Sequence, residues 1–129
     1  MMEKRKVKIL LIEDEAAVRE MLTDELSVQG YTVVEAVNGE EGLKKFLEEK
    51  PDLVLCDRAM PGMSGYDVLD RIRRMHPQCA DIPFVFLTAL TDPRDKIGVE
   101  HLYPAAYIEK PVDFNMLAEK IRGLVVRKA

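Results

Sequence analysis

At two places in this 129-residue chain, carboxylates come immediately after short apolar runs. Ile9-Leu10-Leu11-Ile12 is followed by Glu13-Asp14-Glu15, and Leu53-Val54-Leu55-Cys56 is followed by Asp57. Adjacent carboxylates repel one another unless a cation compensates them. Taken alone, the first cluster reads as acidic charge at the N-terminus of the next helix, worth about 0.3–1 kcal/mol per group. If both runs are neighbouring strands, Glu13, Asp14 and Asp57 converge on one crevice. Converging oxygen donors suit a hard divalent cation, Mg²⁺ first among them because it takes few protein ligands and keeps several waters. The turn Arg58-Ala59-Met60-Pro61-Gly62-Met63-Ser64-Gly65 could bring a backbone carbonyl towards the same ion. Two further runs end in anion-stabilising groups: Phe84 to Leu87 leads into Thr88-Ala89, and Ala105 to Ile108 leads into Lys110-Pro111. Singly, Thr88 can cap a helix and Lys110 can be a solvated charge. Together they surround one Asp with cation ligands and anion donors, as phosphoryl transfer onto a carboxylate requires.

Those residues can meet only if the elements carrying them form one sheet. Five runs (Val7–Ile12, Thr32–Val34, Leu53–Cys56, Phe84–Leu87 and Ala105–Ile108) read as strands, four of them near-continuously apolar, as in a parallel sheet covered on both faces. Helical spacing fills the intervals. Val18, Met21, Leu22 and Leu26 share a face and stop at Gly30. Leu43, Phe46 and Leu47 stop at Pro51, and Val68, Leu69, Ile72 and Met75 stop at His76-Pro77. Phe114, Leu117, Ile121, Leu124 and Val125 follow Asp113, a candidate N-cap, while the segment 93–102 contains Gly98 and gives the weakest helical pattern. Five strand–helix units predict right-handed crossovers and an α/β doubly wound sheet, whose chemistry collects at the carboxyl ends of the strands.

Composition narrows the function class. The chain carries 23 acids and 19 bases, net charge −4, and is 47% hydrophobic. This length predicts a single domain, 1–129 with its core at about 7–126. A mildly acidic chain lacks the basic face that direct nucleic-acid binding needs. No apolar run reaches the ~18 residues of a membrane span, and a cytoplasmic location is expected. Cys56 and Cys79 stand in no metal-like spacing and read as two reduced thiols. Glu13, Asp14 and Asp57 themselves account for most of the surplus acidity.

The set Glu13-Asp14, Asp57 with Met60-Pro61-Gly62-Met63-Ser64-Gly65, Thr88-Ala89 and Tyr107-Ile108-Glu109-Lys110-Pro111 resembles the receiver domain of two-component response regulators, from about Val7 to Val126. The resemblance implies a flavodoxin-like, three-layer αβα fold with strand order 2-1-3-4-5 and five helices. It implies that Asp57 accepts a phosphoryl group from a sensor histidine kinase or phosphotransfer protein. Mg²⁺ would be held by Asp14, Asp57 and the Ala59 backbone carbonyl, with Glu13 reaching it through water. Thr88 and Lys110 would contact phosphoryl oxygens. Thr88 and Tyr107 would act as a switch that changes the surface made by the 93–102 segment, the fifth strand and the C-terminal helix, drawing on Ile97, His101, Tyr103, Tyr107 and Glu109. A cis Lys110–Pro111 bond is also implied. Such a protein is a signalling switch rather than a turnover enzyme, catalysing only its own phosphorylation and dephosphorylation.

Other readings remain at this point. Tyr107 can simply be a core aromatic with its hydroxyl at the surface. Asp-nucleophile hydrolases of the haloacid-dehalogenase type carry a second Asp where this chain has Ala59, which argues against that class. A degenerate receiver that binds partners without phosphorylation is hard to reconcile with every catalytic position being filled. Pro104, where many family members differ, stiffens the approach to the fifth strand. Ala59 and Leu90 stand two residues beyond Asp57 and Thr88, positions that tune phosphoryl lifetime in the family. Both are apolar and unable to orient water, so slow self-dephosphorylation is expected. No output domain follows the last helix in this sequence, so the receiver is either free-standing or part of a longer regulator. The expected partners are the phosphodonor protein and a downstream protein or output domain. The expected state is a monomer or a weak, phosphorylation-dependent dimer.

Overall fold

The structure, a computed structural model, describes residues 6–89 and 105–126. Five parallel strands, β1 (Lys8–Ile12), β2 (Thr32–Ala36), β3 (Leu53–Asp57), β4 (Phe84–Thr88) and β5 (Ala106–Glu109), form one sheet in the order β2-β1-β3-β4-β5. The order and direction are those expected. The helices among the described residues are α1 (Ala16–Val28), α2 (Gly39–Glu49), α3 (Gly65–Met75) and α4 (Phe114–Val126), with a 3-10 turn at Pro77–Cys79. The helix expected at 93–102 lies outside the described residues, as do Leu90, Ile97, His101, Tyr103 and Pro104.

Strand side chains alternate between the two faces and build two cores. Leu10, Ile12, Val54, Cys56, Phe84 and Phe86 pack against Phe46 of α2 and Val68, Leu69 and Ile72 of α3. Ile9, Leu11, Leu53, Leu55, Val85 and Leu87 pack against Leu22 and Leu26 of α1 and Leu117 and Ile121 of α4. Each fully buried Leu or Ile contributes roughly 1.5–3 kcal/mol, which explains why the central strands tolerate polar residues only at their ends. Three expected core positions are corrected: Met21, Leu47 and Met75 are 43%, 52% and 64% exposed. Met21 and Leu47 adjoin the buried Leu22 and Phe46, and a 100° step per residue turns one of two neighbours away from the sheet. Met75 is the last residue of α3.

Helix ends fix the loops that matter. Ser64 and Asp67 form a capping box at the start of α3, with Asp67 N–H donating to Ser64 Oγ at 3.2 Å. Just inside it, a Cβ on Gly65 would collide with the Asp57 carbonyl oxygen, so this close approach of α3 to β3 requires glycine. Gly62 takes φ +82 in the same turn. Asp113 caps α4 as expected, its Oδ1 accepting from Asn115 N–H at 2.8 Å and Met116 N–H at 3.2 Å. The Lys110–Pro111 bond is cis, as the resemblance implies.

Candidate functional site

Strand register brings the charged residues together. Ile12 is level with Cys56, so the residues that follow them, Glu13 and Asp57, emerge side by side. Asp57 is level with Leu87 and Thr88 with Glu109, which sets Thr88 and Lys110 at the same edge. Glu13, Asp57 and Thr88 are buried, while Asp14 is exposed. One carboxylate oxygen from each of Glu13, Asp14 and Asp57 lies within 4.8 Å of the others. A donor set made only of carboxylate oxygens fits a hard divalent cation.

Lys110 bonds two of the three carboxylates. Its Nζ donates to Glu13 Oε1 at 2.9 Å and to Asp57 Oδ2 at 3.2 Å. The reading of Lys110 as a solvated charge is thereby corrected: the side chain is 18% exposed and bridges two buried carboxylates. Glu13 Oε2 accepts the Glu15 N–H at 3.1 Å, and Asp57 Oδ1 accepts the Ala59 N–H at 3.2 Å. The helix-charging reading of the acidic cluster holds only for the place of Glu15. Glu15 occupies the N-cap position of α1 without a side-chain cap bond, and the first turn holds no acid. Glu13 joins helix and sheet, accepting from the N-cap N–H of Glu15 and from Lys110.

Burial pushes the Glu13 carboxyl up to about 7; the hydrogen bonds from Lys110 and from Glu15 N–H hold it down, and the Asp57 charge adds to the rise. One ammonium is insufficient compensation for two buried carboxylates, an electrostatic deficit that a metal cation would fill. Burial alone would lower the Lys110 ammonium, but the Glu13 hydrogen bond and the charges of Asp57 and Glu13 outweigh it and raise its pKa above the ordinary value. Cys56 directly precedes Asp57 on β3, and burial, then the Asp57 and Glu13 charges, push its thiol well above the usual range. It stays protonated, donating to the Asp57 carbonyl oxygen at 3.3 Å. Both cysteines are free thiols, as expected.

A cavity of about 270 Å³ opens beside Asp57, lined by Glu15, Arg58, Ala59, Thr88, Ala89 and Lys110. It joins the nucleophile candidate to the hydroxyl and ammonium candidates in one space. On β5, Tyr107 lays its ring 5.7 Å from that of Phe86 and buries its hydroxyl, which corrects the alternative that placed this hydroxyl at the surface. Two residues escaped the sequence reading. Arg19 Nη1 donates to the Glu13 carbonyl at 2.8 Å and clamps the loop that carries the acids; Arg58 lines the cavity. Arginines on a helix surface or in a turn carry no signal by themselves, so only the fold could reveal them. Among the described residues no helix is long and apolar enough to cross a membrane.

Comparison with known proteins bears on the family and the fold. The model of the response regulator receiver domain matches residues 9–122. "Probable transcriptional regulator ycf27" of Porphyridium aerugineum is 41% identical over 123 residues, covering 95% of this chain and 50% of that protein. "Transcriptional regulatory protein AfsQ1" of Streptomyces coelicolor is 38% identical over 119 residues, covering 92% and 51%. The chain thus spans about half the length of the curated relatives it matches. Among solved structures, chemotaxis protein CheY4 of Vibrio cholerae superposes with a TM-score of 0.88 at 27% identity, covering 93% of this chain and 99% of that one. A response regulator receiver domain protein from Clostridium thermocellum does so at 0.85 and 31%, covering 95% and 96%. The chain belongs to the response regulator receiver domain family.

Proposed function

We propose that Asp57 is the phosphoacceptor of a two-component signalling switch, and that a sensor histidine kinase or phosphotransfer protein supplies the phosphoryl group. The observation that carries this reading is the Asp57 carboxylate itself: buried at a strand end, held by Ala59 N–H and Lys110, and open to a cavity with Thr88. In the transfer, a carboxylate oxygen of Asp57 attacks phosphorus. The bond from phosphorus to the donor nitrogen or oxygen breaks, and its electron pair leaves with the donor. Lys110 and Thr88 then stabilise the equatorial oxygens of the acyl phosphate. Asp14, Asp57 and the Ala59 carbonyl, with Glu13 through water, would hold Mg²⁺. When bound, the ion supplies charge neutralisation for the carboxylates and the phosphoryl oxygens.

The consequence is a change of surface. Thr88 moves towards the phosphoryl group, Tyr107 follows behind it, and the two states differ in the face around β5 and α4. On that face a cavity of about 410 Å³ is lined by Tyr107, Glu109, Pro111, Asp113, Met116 and Lys120. The downstream partner is a separate protein or an output domain of a longer regulator; the relatives named as transcriptional regulators support the latter.

Incubation with acetyl phosphate and Mg²⁺, followed by intact-mass measurement, tests the reading. The wild type should gain one phosphoryl group; Asp57→Ala and an EDTA-treated sample should gain none. No adduct on the wild type would favour a receiver-like domain that binds partners without phosphorylation. Because Ala59 cannot orient an attacking water, the adduct should outlast a gel filtration in Mg²⁺ buffer, and a half-life of seconds would contradict this.

A further inference from the structure

Among the described residues, two cations line the cavity beside Asp57: Lys110 and Arg58. Its backbone is fixed on both sides, its N–H donating to the Leu87 carbonyl at 2.8 Å and its own carbonyl accepting the Gly65 N–H at 2.8 Å. The guanidinium carbon lies 5.6 Å from the centre of the Tyr66 ring. Tyr66 is itself seated edge-on against Phe86 at 5.1 Å, and Arg58 Nε is buried. An aromatic shelf therefore supports a long side chain, which reduces the freedom lost when it binds a ligand.

The charge around this cavity explains why a second cation matters. Glu13, Asp14 and Asp57 converge on one point, Glu15 lines the cavity, and Lys110 is already engaged by Glu13 and Asp57. A phosphodonor bearing two negative charges approaches a site that is negative overall. Resting on the phosphoacceptor reading, we propose that Arg58 is a substrate-binding residue of this site. Held on Tyr66 at the cavity wall, its planar fork binds the anionic oxygens of small phosphodonors and favours dianionic donors over those with a cationic leaving group.

This assignment has a signature that a merely structural role lacks, because one positive charge acts with opposite sign on the donor and on Mg²⁺. Arg58→Gln should slow phosphorylation by acetyl phosphate about three- to tenfold at low ionic strength, with the deficit shrinking as salt rises. Phosphoramidate, whose leaving nitrogen is protonated, should be affected less than about twofold. Titration calorimetry with Mg²⁺ alone should show binding tightened by about two- to fivefold. Arg58→Lys, which keeps the charge and loses the fork, should retain the salt dependence. Equal losses with both donors, weakened Mg²⁺ binding, or an unchanged acetyl phosphate rate would each overturn the role of Arg58. If the wild type is labelled and Arg58→Gln matches it, only this inference fails. If the wild type takes no phosphoryl group, the acceptor reading fails and Arg58 with it.

Discussion

Lysine–carboxylate pairs stand at both ends of the sheet, and they differ in almost everything but chemistry. At the amino end, Lys8 Nζ meets Glu49 Oε1 at 3.4 Å, with the two side chains 34% and 41% exposed. Lys8 Nζ also donates to the Glu49 carbonyl, and its backbone N–H donates to Asp52 Oδ2. At the carboxyl end, Lys110 bridges Asp57 and the fully buried Glu13. Water screens the first pair and replaces either partner at little cost. The second has no such replacement, and its desolvation leaves Glu13 with a carboxyl pKa of about 7. A strand end that tolerates an under-compensated buried charge is spending stability on a site.

Removal of Lys110 has the largest expected effect. Lys110→Met should destabilise the metal-free protein by about 3–4 kcal/mol in urea titrations at pH 8, because two buried carboxylates lose the ammonium that bridges them. A loss below about 1 kcal/mol would place the carboxyl-end pair in the same class as Lys8–Glu49.

The pH dependence comes next. The folded Glu13 keeps its proton up to about 7, whereas an ordinary glutamate releases it near 4.5. Between those values the native state binds more protons than the unfolded chain. Its stabilising effect is therefore complete below about 4.5 and lost as pH rises to about 7. Urea titrations at pH 5 and pH 8 should show a fall of about 2–3 kcal/mol attributable to this group. Glu13→Gln should remove that fall, and millimolar Mg²⁺ should offset part of it in the wild type by binding the native state. A wild type and a Glu13→Gln variant with parallel pH profiles would contradict the assignment. The smallest effect belongs to Lys8→Met, for which a loss of less than about 1 kcal/mol is expected at any pH from 5 to 8.

How much of this was legible in the sequence follows from the range of the forces involved. The strands could be read because burial on both faces forces near-continuous apolar runs such as Leu53 to Cys56. The site could be read because polar residues such as Glu13, Asp57 and Thr88 stand directly after those runs, where a parallel sheet gathers them. Met21, Leu47 and Met75 were misplaced because a helical stripe has soft margins, and the choice between Met21 and Leu22 depends on the neighbouring layer. The function of Lys110 as a bridge depends on contact with Glu13 across 97 residues of sequence. Arg19 and Arg58 act through contacts that no spacing encodes. Tyr107 needed the sheet to show that its hydroxyl is buried beside Phe86.

The role proposed for the buried carboxyl-end cluster is the phosphorylation of Asp57. Borohydride reduction tests it most directly, because it converts an aspartyl phosphate to a homoserine that peptide mass spectrometry can place. After exposure to acetyl phosphate and Mg²⁺, this conversion is expected at position 57 alone, with none in Asp57→Asn. Conversion at Asp14 or Asp52, or a stable phosphate on a serine or threonine with position 57 unmodified, would contradict it.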